Sequence, residues 1–353
     1  MTDQRHDPAA CLVKAGLRGL SIFYGAGVRL MQAGYARKIF PSFPVGSKVI
    51  SIGNLTWGGV GKTPLVAWVV RYLQSQNVKP AVLIRGAMDL KNPLEGKTPV
   101  SDEAEWLKRH LGGVPVWIGR DRVHKAQKAL KQGPVDVFIL DDGFQHWRLK
   151  RDLDIVCIDA TNPFGNGYLF PRGILREPLS ALSRVDLFIL TKTDWGCDLK
   201  SLRQRLHSLK PRAPLIETVH QPLGLYSVDD LAVQKDLKFL KDEPICAFCA
   251  IGDPASFERT LKSLGADVIR NFTFMDHYVY TSRDLQGIAR FCQAQGIRTV
   301  VTTEKDAVKL HAGKTLFRDG IHVYSLKIEI RIIQGEDKLV QALNEVLRKE
   351  PDA

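Results

Sequence analysis

A lysine and a threonine close a glycine-rich stretch of the chain, Gly58-Gly-Val-Gly-Lys-Thr63. An apolar, β-branched run at 49–52 precedes this stretch, and a helix-compatible run begins at Pro64. In such a loop the backbone N–H groups can surround a phosphate, and the following helix N-terminus adds partial positive charge. A lysine there reaches the outer phosphates of a nucleotide, and a threonine hydroxyl binds Mg²⁺. The stretch predicts a nucleotide-binding loop made of Thr56, Gly58, Gly59, Val60, Gly61, Lys62 and Thr63.

The match to a strict phosphate-loop pattern is imperfect. The pattern G-x-x-x-x-G-K-[ST] requires glycine at position 56, where this chain has Thr56. The remaining residues resemble the GGxGKT variant of P-loop proteins. The simpler alternative is a glycine-rich turn that happens to precede Lys62-Thr63. The strand before the loop and the helix after it favour the nucleotide-binding interpretation.

A second apolar run, at 135–140, ends in two carboxylates, Asp141 and Asp142. In a sheet that also carries a P-loop, a carboxylate in this place holds Mg²⁺ through its water shell, opposite the threonine of the loop. We therefore predict Asp141, Asp142 and Thr63 as metal-binding residues. The alternative is a pair of aspartates that merely begins a loop before Gly143.

A third strand, at 185–190, ends in Thr191-Lys-Thr-Asp194. This resembles the [NT]-K-x-D element with which P-loop GTPases recognise guanine. The resemblance keeps open a different class of protein, a P-loop GTPase of the regulatory or metal-delivery type. Four polar residues at a strand end are weak support, because they also suit the start of an ordinary loop.

Charged residues stand at three further places where chemistry is possible. Asp102-Glu103 opens a predicted helix, where the carboxylates could simply complement the helix dipole. Asp276-His277 follows an apolar strand, and an isolated pair of this kind is usually structural. The stretch 302–306, Thr-Thr-Glu-Lys-Asp, follows another buried strand and adds a charged cluster.

The order of elements predicts an α/β fold. From residue 48, strands at 48–53, 81–85, 115–118, 135–140, 154–159, 185–191 and 215–219 alternate with helices at 64–75, 102–110 and 121–131. This pattern predicts a P-loop-type, mostly parallel sheet with helices on both faces. A smaller α/β unit follows a polar, turn-rich break at 221–243, and a helix at 337–348 ends it. We predict an N-terminal helical region (1–40), a nucleotide-binding core (41–222) and a smaller domain (223–353) that contributes to the active-site cleft.

Composition narrows the classes of function. The chain has 353 residues, 44% hydrophobic and 25% charged, with six cysteines and a net charge of +12. Between Asp7 and Asp89 it has ten basic residues and no acidic one, which favours anionic partners. The chain lacks the aromatic or recognition-helix pattern of a nucleic-acid-binding protein. Cys246-x-x-Cys249 has no second cysteine pair to complete a zinc site. We find no transmembrane span, no signal peptide and no sign of an obligate protein partner.

Residues 12–32 predict an amphipathic, cationic helix. One arc of the helical wheel is apolar and includes Leu12, Val13, Leu17, Leu20, Phe23, Tyr24, Val28, Leu30 and Met31, and the other holds Lys14, Arg18, Ser21, Arg29 and Gln32. Such a helix can lie in the interface of an anionic membrane. It can equally dock its apolar arc on the protein's own core, and periodicity alone leaves both possibilities open.

Several of these motifs together resemble one family, the tetraacyldisaccharide 4′-kinases of lipid A biosynthesis. The resemblance rests on Gly53-Asn-Leu-Thr56 before the loop, Asp141-Asp-Gly-Phe-Gln-His146, Leu175-Arg-Glu-Pro178, Asp276-His277 and Thr303-Glu-Lys-Asp-Ala-Val-Lys309, and it runs in order from about residue 15 to 345. It implies a Mg²⁺- and ATP-dependent kinase that phosphorylates the 4′-hydroxyl of a lipid disaccharide 1-phosphate. It also implies a peripheral protein on the cytoplasmic face of the inner membrane, attached through its N-terminal helix.

The resemblance also assigns roles. Asp102 would be the catalytic base, paired with His277, with Lys62 stabilising the transferred phosphoryl group. Gln145, Arg176 and Glu177 would lie near the nucleotide. With Asp102 placed in the first domain and His277 in the second, we expect domain closure to bring these two together.

Three departures from the family pattern leave the shape of the acceptor pocket open. Arg85-Gly86 is followed by Ala87-Met88, the run after Pro171 reads Arg172-Gly-Ile174, and Tyr278 replaces a second histidine.

Overall fold

The structure is a computed structural model, and it describes residues 8–86, 102–196, 198–230, 232–310, 317 and 320–348. The departure at Ala87-Met88 therefore lies outside the described residues. Two compact units are present. Unit 1 comprises residues 1–86, 113–219 and 331–353, and unit 2 comprises 87–112 and 220–330.

Unit 1 is built on a parallel sheet with helices. Its elements are α1 (Pro8–Ala36), β1 (Lys48–Asn54), α2 (Lys62–Ser75), β2 (Pro80–Ile84), β3 (Val116–Ile118), α4 (Arg122–Gln132), β4 (Val137–Asp141), β5 (Leu153–Asp159), β6 (Leu187–Thr191), α5 (Leu199–Leu209), the first part of β7 (Leu215–Ser227) and α9 (Glu336–Arg348). The strand order is β7-β6-β5-β1-β4-β2-β3, with parallel pairing throughout. The strand that leads into the phosphate loop, β1, is therefore central.

Unit 2 is a smaller α/β unit. Its elements are α3 (Asp102–His110), β8 (Gln234–Lys235), β9 (Pro244–Cys249), α6 (Pro254–Ser263), β10 (Asp267–Thr273), α7 (Ser282–Gln295), β11 (Thr299–Thr303), α8 (Glu304–Ala307) and most of β12 (His322–Gln334). Strands β10, β9, β11 and β12 pair in parallel in that order, and β8 pairs antiparallel with the end of β7.

Burial explains why these runs become strands. All residues of β1, β2, β4, β5 and β6 are buried, as expected for strands covered on both faces, and their apolar runs lack period-two alternation. Each fully buried aliphatic side chain contributes roughly 1.5–3 kcal/mol. The predicted fold, a P-loop-type α/β sheet with helices on both faces, is confirmed, and the helices and strands lie within a few residues of their predicted positions.

Two elements extend beyond their predicted lengths. β7 continues to Ser227, into the stretch predicted as a polar break, and β12 continues to Gln334 instead of ending near 327. Most residues of both extensions are half-buried or exposed, unlike those of the fully buried strands, and Pro222 and Gly224 obscure the strand pattern in β7. Hydrogen bonds such as Ser227 N–H to the Val233 carbonyl (2.9 Å) stabilise the extension of β7 against its neighbour.

The two units are discontinuous in sequence, unlike the consecutive ranges 41–222 and 223–353. α9 belongs to unit 1 because it packs on β5, and the Tyr72 hydroxyl donates to Asn344 Oδ1 at 2.8 Å. α3 belongs to unit 2 because it packs on α8, where His110 Nε2 lies 2.8 Å from Glu304 Oε1. Long-range packing therefore groups residues that a linear division of the chain separates.

Candidate active site

The glycine-rich loop joins β1 to α2 in unit 1. Gly61 adopts a φ of 80° immediately before Lys62, the first residue of α2. This left-handed conformation suits glycine and disfavours residues with a Cβ. On its other side the loop is anchored to the chain near residue 175, because the Trp57 N–H donates to the Ile174 carbonyl at 2.7 Å. The loop therefore presents its backbone at the N-terminus of a helix, the arrangement that binds phosphate.

Lys62 extends from the start of α2 towards two oxygen atoms. Its Nζ lies 3.0 Å from Asn54 Oδ1 and 3.2 Å from Asp142 Oδ1. Asn54 ends β1, and its amide also donates to the Thr56 carbonyl at 2.6 Å. Asn54 was part of the family motif in the sequence but received no role there. In the structure it orients the lysine and also braces the loop.

The two aspartates at the end of β4 differ in environment. Asp141 is the last residue of the strand and is 2% exposed. Asp142 has a φ of 51°, and the buried Arg122 donates to its carbonyl at 3.1 Å. Burial raises the pKa of Asp142, but the nearby charges of Lys62 and Arg176 outweigh burial and hold that pKa well below its usual range. Asp142 is therefore an ionised carboxylate held between two cations.

Arg176 connects the predicted nucleotide contacts. Its Nη1 lies 2.9 Å from both carboxylate oxygens of Asp142 and 3.2 Å from Gln145 Oε1. Its guanidinium stacks 4.4 Å from the centre of the Trp57 ring, and Gln145 in turn donates to the Asn54 carbonyl at 3.0 Å. These side chains form one network around the loop.

Glu177 is placed differently from Arg176. It is 1% exposed and accepts hydrogen bonds from Arg184 (2.9 Å) and Gln32 (2.7 Å). The hydrogen bond from Gln32 therefore joins the segment after Arg176 to α1.

The residues predicted to hold Mg²⁺ offer the right kind of donor. Thr63, Asp141 and Asp142 supply a hydroxyl and carboxylates, the hard oxygen ligands that Mg²⁺ prefers. Asp142 is already paired with cations, which leaves Asp141 the better suited carboxylate of the two. Among the described residues no cluster of three or more His, Cys, Asp or Glu could hold a metal alone. A magnesium ion here would therefore complete its shell with phosphate oxygens and water, as in P-loop kinases.

In unit 2, Asp102 and His277 lie in contact. His277 Nδ1 is 2.9 Å from Asp102 Oδ1, and Asp102 is 8% exposed at the start of α3. His277 has a φ of 62°, an uncommon conformation for a non-glycine residue that is often found at functional sites. The expectation that domain closure brings the two together was wrong, because both belong to the same compact unit.

A lysine that the sequence analysis left without a role completes this cluster. Lys309 Nζ lies 3.2 Å from Asp102 Oδ2 and 3.1 Å from Asp306 Oδ1. Asp306 is fully buried, and it also accepts from the Thr303 hydroxyl (2.7 Å) and the Ala250 N–H (3.1 Å). The signal in the sequence was the run from Thr303 to Lys309, which carries part of the family resemblance and overlaps the charged cluster at 302–306.

These contacts set the ionisation of the pair. Burial raises the pKa of Asp102, but the hydrogen bond from His277 and the charge of Lys309 outweigh it and hold the pKa well below its usual range. The hydrogen bond to Asp102 raises the pKa of His277 above its ordinary value, against the opposing effect of burial. Asp102 is therefore an oriented carboxylate with one histidine and one lysine on its two oxygens.

The N-terminal helix leaves most of its predicted apolar arc exposed. Phe23 is 78% exposed and Leu12 is 76% exposed. The inner face is mixed: the Ser21 hydroxyl donates to the Leu169 carbonyl at 2.8 Å, and Leu17, Tyr24 and Val28 of the apolar arc are half-buried. The apolar arc is thus divided: one part is half-buried, with the Tyr24 hydroxyl donating to the Arg176 carbonyl at 2.9 Å, and the other part is exposed. No helix among the described residues is long and apolar enough to cross a membrane.

The fold and this loop define a P-loop nucleotide-binding protein. Residues 13–348 match the family model of the tetraacyldisaccharide-1-P 4′-kinases, and the chain belongs to this family. It is 39% identical to the tetraacyldisaccharide 4′-kinase of Syntrophus aciditrophicus over 90% of this chain and 88% of that one. The corresponding enzyme of an Anaeromyxobacter species (strain K) is 37% identical over 99% and 94%.

A solved structure agrees with these sequence relationships. The structure of LpxK from Aquifex aeolicus in complex with ATP superposes with a TM-score of 0.71 at 26% identity, covering 95% of this chain and 99% of that one. Membership of the family makes this chain an ATP-dependent kinase that acts on a lipid disaccharide precursor of lipid A. The alternative, a regulatory or metal-delivery GTPase, is therefore not supported.

Proposed function

We propose that unit 1 binds MgATP through the loop 56–61, Lys62 and Thr63, and that Asp102 of unit 2 is the general base for the 4′-hydroxyl of a tetraacyldisaccharide 1-phosphate. The observation that carries the proposal for the donor is the placement of Lys62, whose ammonium lies at a helix N-terminus and against Asp142. Phosphoryl transfer needs mainly positioning and charge stabilisation, and these residues offer both.

On the donor side, each residue has a distinct task. The loop amides bind phosphate oxygens, and Lys62 holds the outer phosphates and stabilises charge as the γ-phosphoryl group leaves. Thr63 and Asp141, with Asp142, would hold the magnesium ion, which neutralises phosphate charge when bound. Arg176 and Gln145 keep Asp142 and Asn54 in place around Lys62.

On the acceptor side, Asp102 takes the proton of the sugar hydroxyl as its oxygen attacks the γ-phosphorus. The hydrogen bond to His277 and the ion pair to Lys309 orient the carboxylate and keep it ionised. A carboxylate with so low a pKa is a weak base before the substrate binds. This suits a loose transition state, in which the hydroxyl loses its proton late and orientation matters most.

The test of the reaction is transfer of label from γ-³²P-ATP to tetraacyldisaccharide 1-phosphate, with lipids separated by thin-layer chromatography. We expect labelled lipid only when MgATP and the acceptor are both present, and no labelled lipid in EDTA. The same lipid lacking a free 4′-hydroxyl is the matched control. Release of free phosphate with no labelled lipid, at a rate that the acceptor does not change, would contradict the proposal.

We also propose that α1 lies in the cytoplasmic face of the inner membrane, as a peripheral attachment to an anionic surface. Two features support this proposal, the exposed apolar arc and the absence of acidic residues between 8 and 86. An exposed apolar helix with lysine and arginine on it favours the interface of anionic lipids.

The membrane proposal predicts that Leu20→Ser with Phe23→Ser weakens binding to phosphatidylglycerol vesicles by at least about tenfold, because two exposed apolar side chains no longer enter the lipid. The measurement is cosedimentation with vesicles. Ile269→Ser is the control, since Ile269 is an exposed apolar residue of unit 2, at 45% exposure. Equal losses in both variants would show that α1 has no special role.

A further inference from the structure

The strand end that resembles a guanine-recognition element contacts the phosphate loop. The Thr191 hydroxyl lies 2.9 Å from the Val60 carbonyl, its shorter contact, and 3.4 Å from the Ile158 carbonyl. Lys192 Nζ lies 3.4 Å from the Gly59 carbonyl. Thr191 is fully buried and Lys192 is 2% exposed, so both act within the protein. Two consecutive carbonyls of the loop are thus bound from the end of β6.

The geometry of the peptide bond gives these contacts a consequence. In a trans peptide the C=O and the following N–H point in opposite directions. Binding the carbonyls of Gly59 and Val60 towards β6 therefore turns the N–H groups of Val60 and Gly61 away from β6. Those N–H groups belong to the part of the loop that binds phosphate. A flipped peptide would instead present a carbonyl oxygen to an anionic phosphate, and glycine at 59 and 61 makes such a flip sterically easy.

Burying the ammonium group of Lys192 costs free energy of desolvation. Its ammonium is paired with Asp159 Oδ2 at 2.5 Å at the end of β5, and its backbone has a φ of 56°. Buried ion pairs often add little to stability, because desolvation offsets the attraction. A buried ammonium directed at a loop carbonyl does, however, fix the orientation of that peptide.

We propose that Thr191 and Lys192 are positioning residues that hold the Gly59 and Val60 carbonyls outward and so preset the loop amides for the phosphates of ATP. This role rests on the proposed nucleotide site. It also explains how a Thr-Lys-x-Asp sequence occurs in an ATP-dependent lipid kinase, because the first two residues bind the loop whatever the base of the nucleotide is.

The test compares two isosteric substitutions, Thr191→Val and Thr218→Val. Thr218 is also fully buried in unit 1, and its hydroxyl donates to the Leu190 carbonyl at 2.9 Å, which is not part of the loop. Isothermal titration with a non-hydrolysable MgATP analogue measures the Kd, and thermal unfolding measures stability. We expect both variants to lose stability, whereas only Thr191→Val weakens nucleotide binding, by about five- to tenfold. Thr191→Ser retains the hydroxyl and should restore binding.

A second variant covers the case in which Thr191→Val does not fold. Lys192→Met combined with Asp159→Asn removes the contact to Gly59 without leaving a carboxylate buried alone, and it should weaken binding in the same sense. If the variants that fold bind the analogue as tightly as wild type or Thr218→Val, the positioning role is wrong while the nucleotide site stands. If the wild-type protein does not bind the analogue, or Lys62→Met binds it equally well, the nucleotide site itself is wrong.

Discussion

Replacing Lys62 with methionine is expected to lower kcat/KM for MgATP by about 10³- to 10⁵-fold, the range for removing a cation that stabilises charge on a transferred phosphoryl group. Because the ammonium also contacts the bound nucleotide, the Kd for ATP should rise as well. The site should survive the change. Arg176 still pairs with both oxygens of Asp142 at 2.9 Å, so this carboxylate is not left alone. The measurement is steady-state phosphorylation of the lipid acceptor with varied MgATP.

Lys48→Met is the matched control for this prediction. Lys48 is a buried lysine at the start of β1, and its Nζ pairs with Asp152 at 3.2 Å. The same substitution there removes the same charge and a carboxylate partner, but it does not touch the loop. We expect a loss of stability with kcat/KM within a few-fold of wild type. Normal turnover by Lys62→Met, or an equal kinetic loss in Lys48→Met, would mean that Lys62 does not act on the phosphates.

The second large effect is expected for Asp102→Asn, which should lower kcat by about 10²- to 10⁴-fold, the usual contribution of a general base. Asparagine keeps the shape of the side chain but cannot take a proton from the acceptor. The Kd for MgATP should stay unchanged, because the residues proposed to bind the nucleotide lie in unit 1. Single-turnover transfer from γ-labelled ATP, together with nucleotide titration, separates the two quantities.

Asp253→Asn is the control, since Asp253 caps α6 in the same unit and asparagine caps a helix equally well. It should leave turnover unchanged. Full activity of Asp102→Asn would mean that Asp102 is not the general base. If Asp102→Asn weakened ATP binding as strongly as Lys62→Met, the division of roles between donor and acceptor would be wrong.

The thermal stability of His277→Gln is an independent measure of the ion pair between His277 and Asp102. The pKa of His277 is raised above its ordinary 6.5 in the folded state, so its ion pair with Asp102 contributes fully below that pH and is lost as pH rises through the raised value. Wild type should exceed His277→Gln in thermal stability at about pH 6, and the difference should shrink by about pH 9. A difference that does not change over this range would mean that the histidine is not charged in the folded protein.

The local sequence was enough to predict the strands and the loop whose conformations depend on nearby residues. Apolar β-branched runs predicted the buried strands of unit 1, because strands covered on both faces need no polar alternation. The glycine-rich loop between β1 and α2 was predicted from residues within one short stretch, and so were the aspartates at the end of β4. Charged residues at strand ends could be named as candidates, since parallel strands bring their carboxyl ends to one edge of a sheet.

The partners of those candidates could not be predicted in the same way. Asp102 and His277 are 175 residues apart, and their separation led to a wrong expectation about which domain holds Asp102. The pairing of Lys309 with Asp102 depends on α3 packing against α8, which no local pattern specifies. The hydrophobic periodicity of α1 predicted an apolar arc but not whether this arc faces the core or the solvent.

By itself, then, the amino-acid sequence determined the class of fold, the phosphate loop and, through several motifs in order, the family. Tertiary structure alone decided that Lys309 shares Asp102 with His277, that Arg176 holds Asp142, and that Thr191 and Lys192 bind the loop. The physical reason is range. Backbone propensity and periodicity act over a few residues, whereas strand order and helix packing bring distant side chains together, and the charges and hydrogen bonds of a site arise only from that packing.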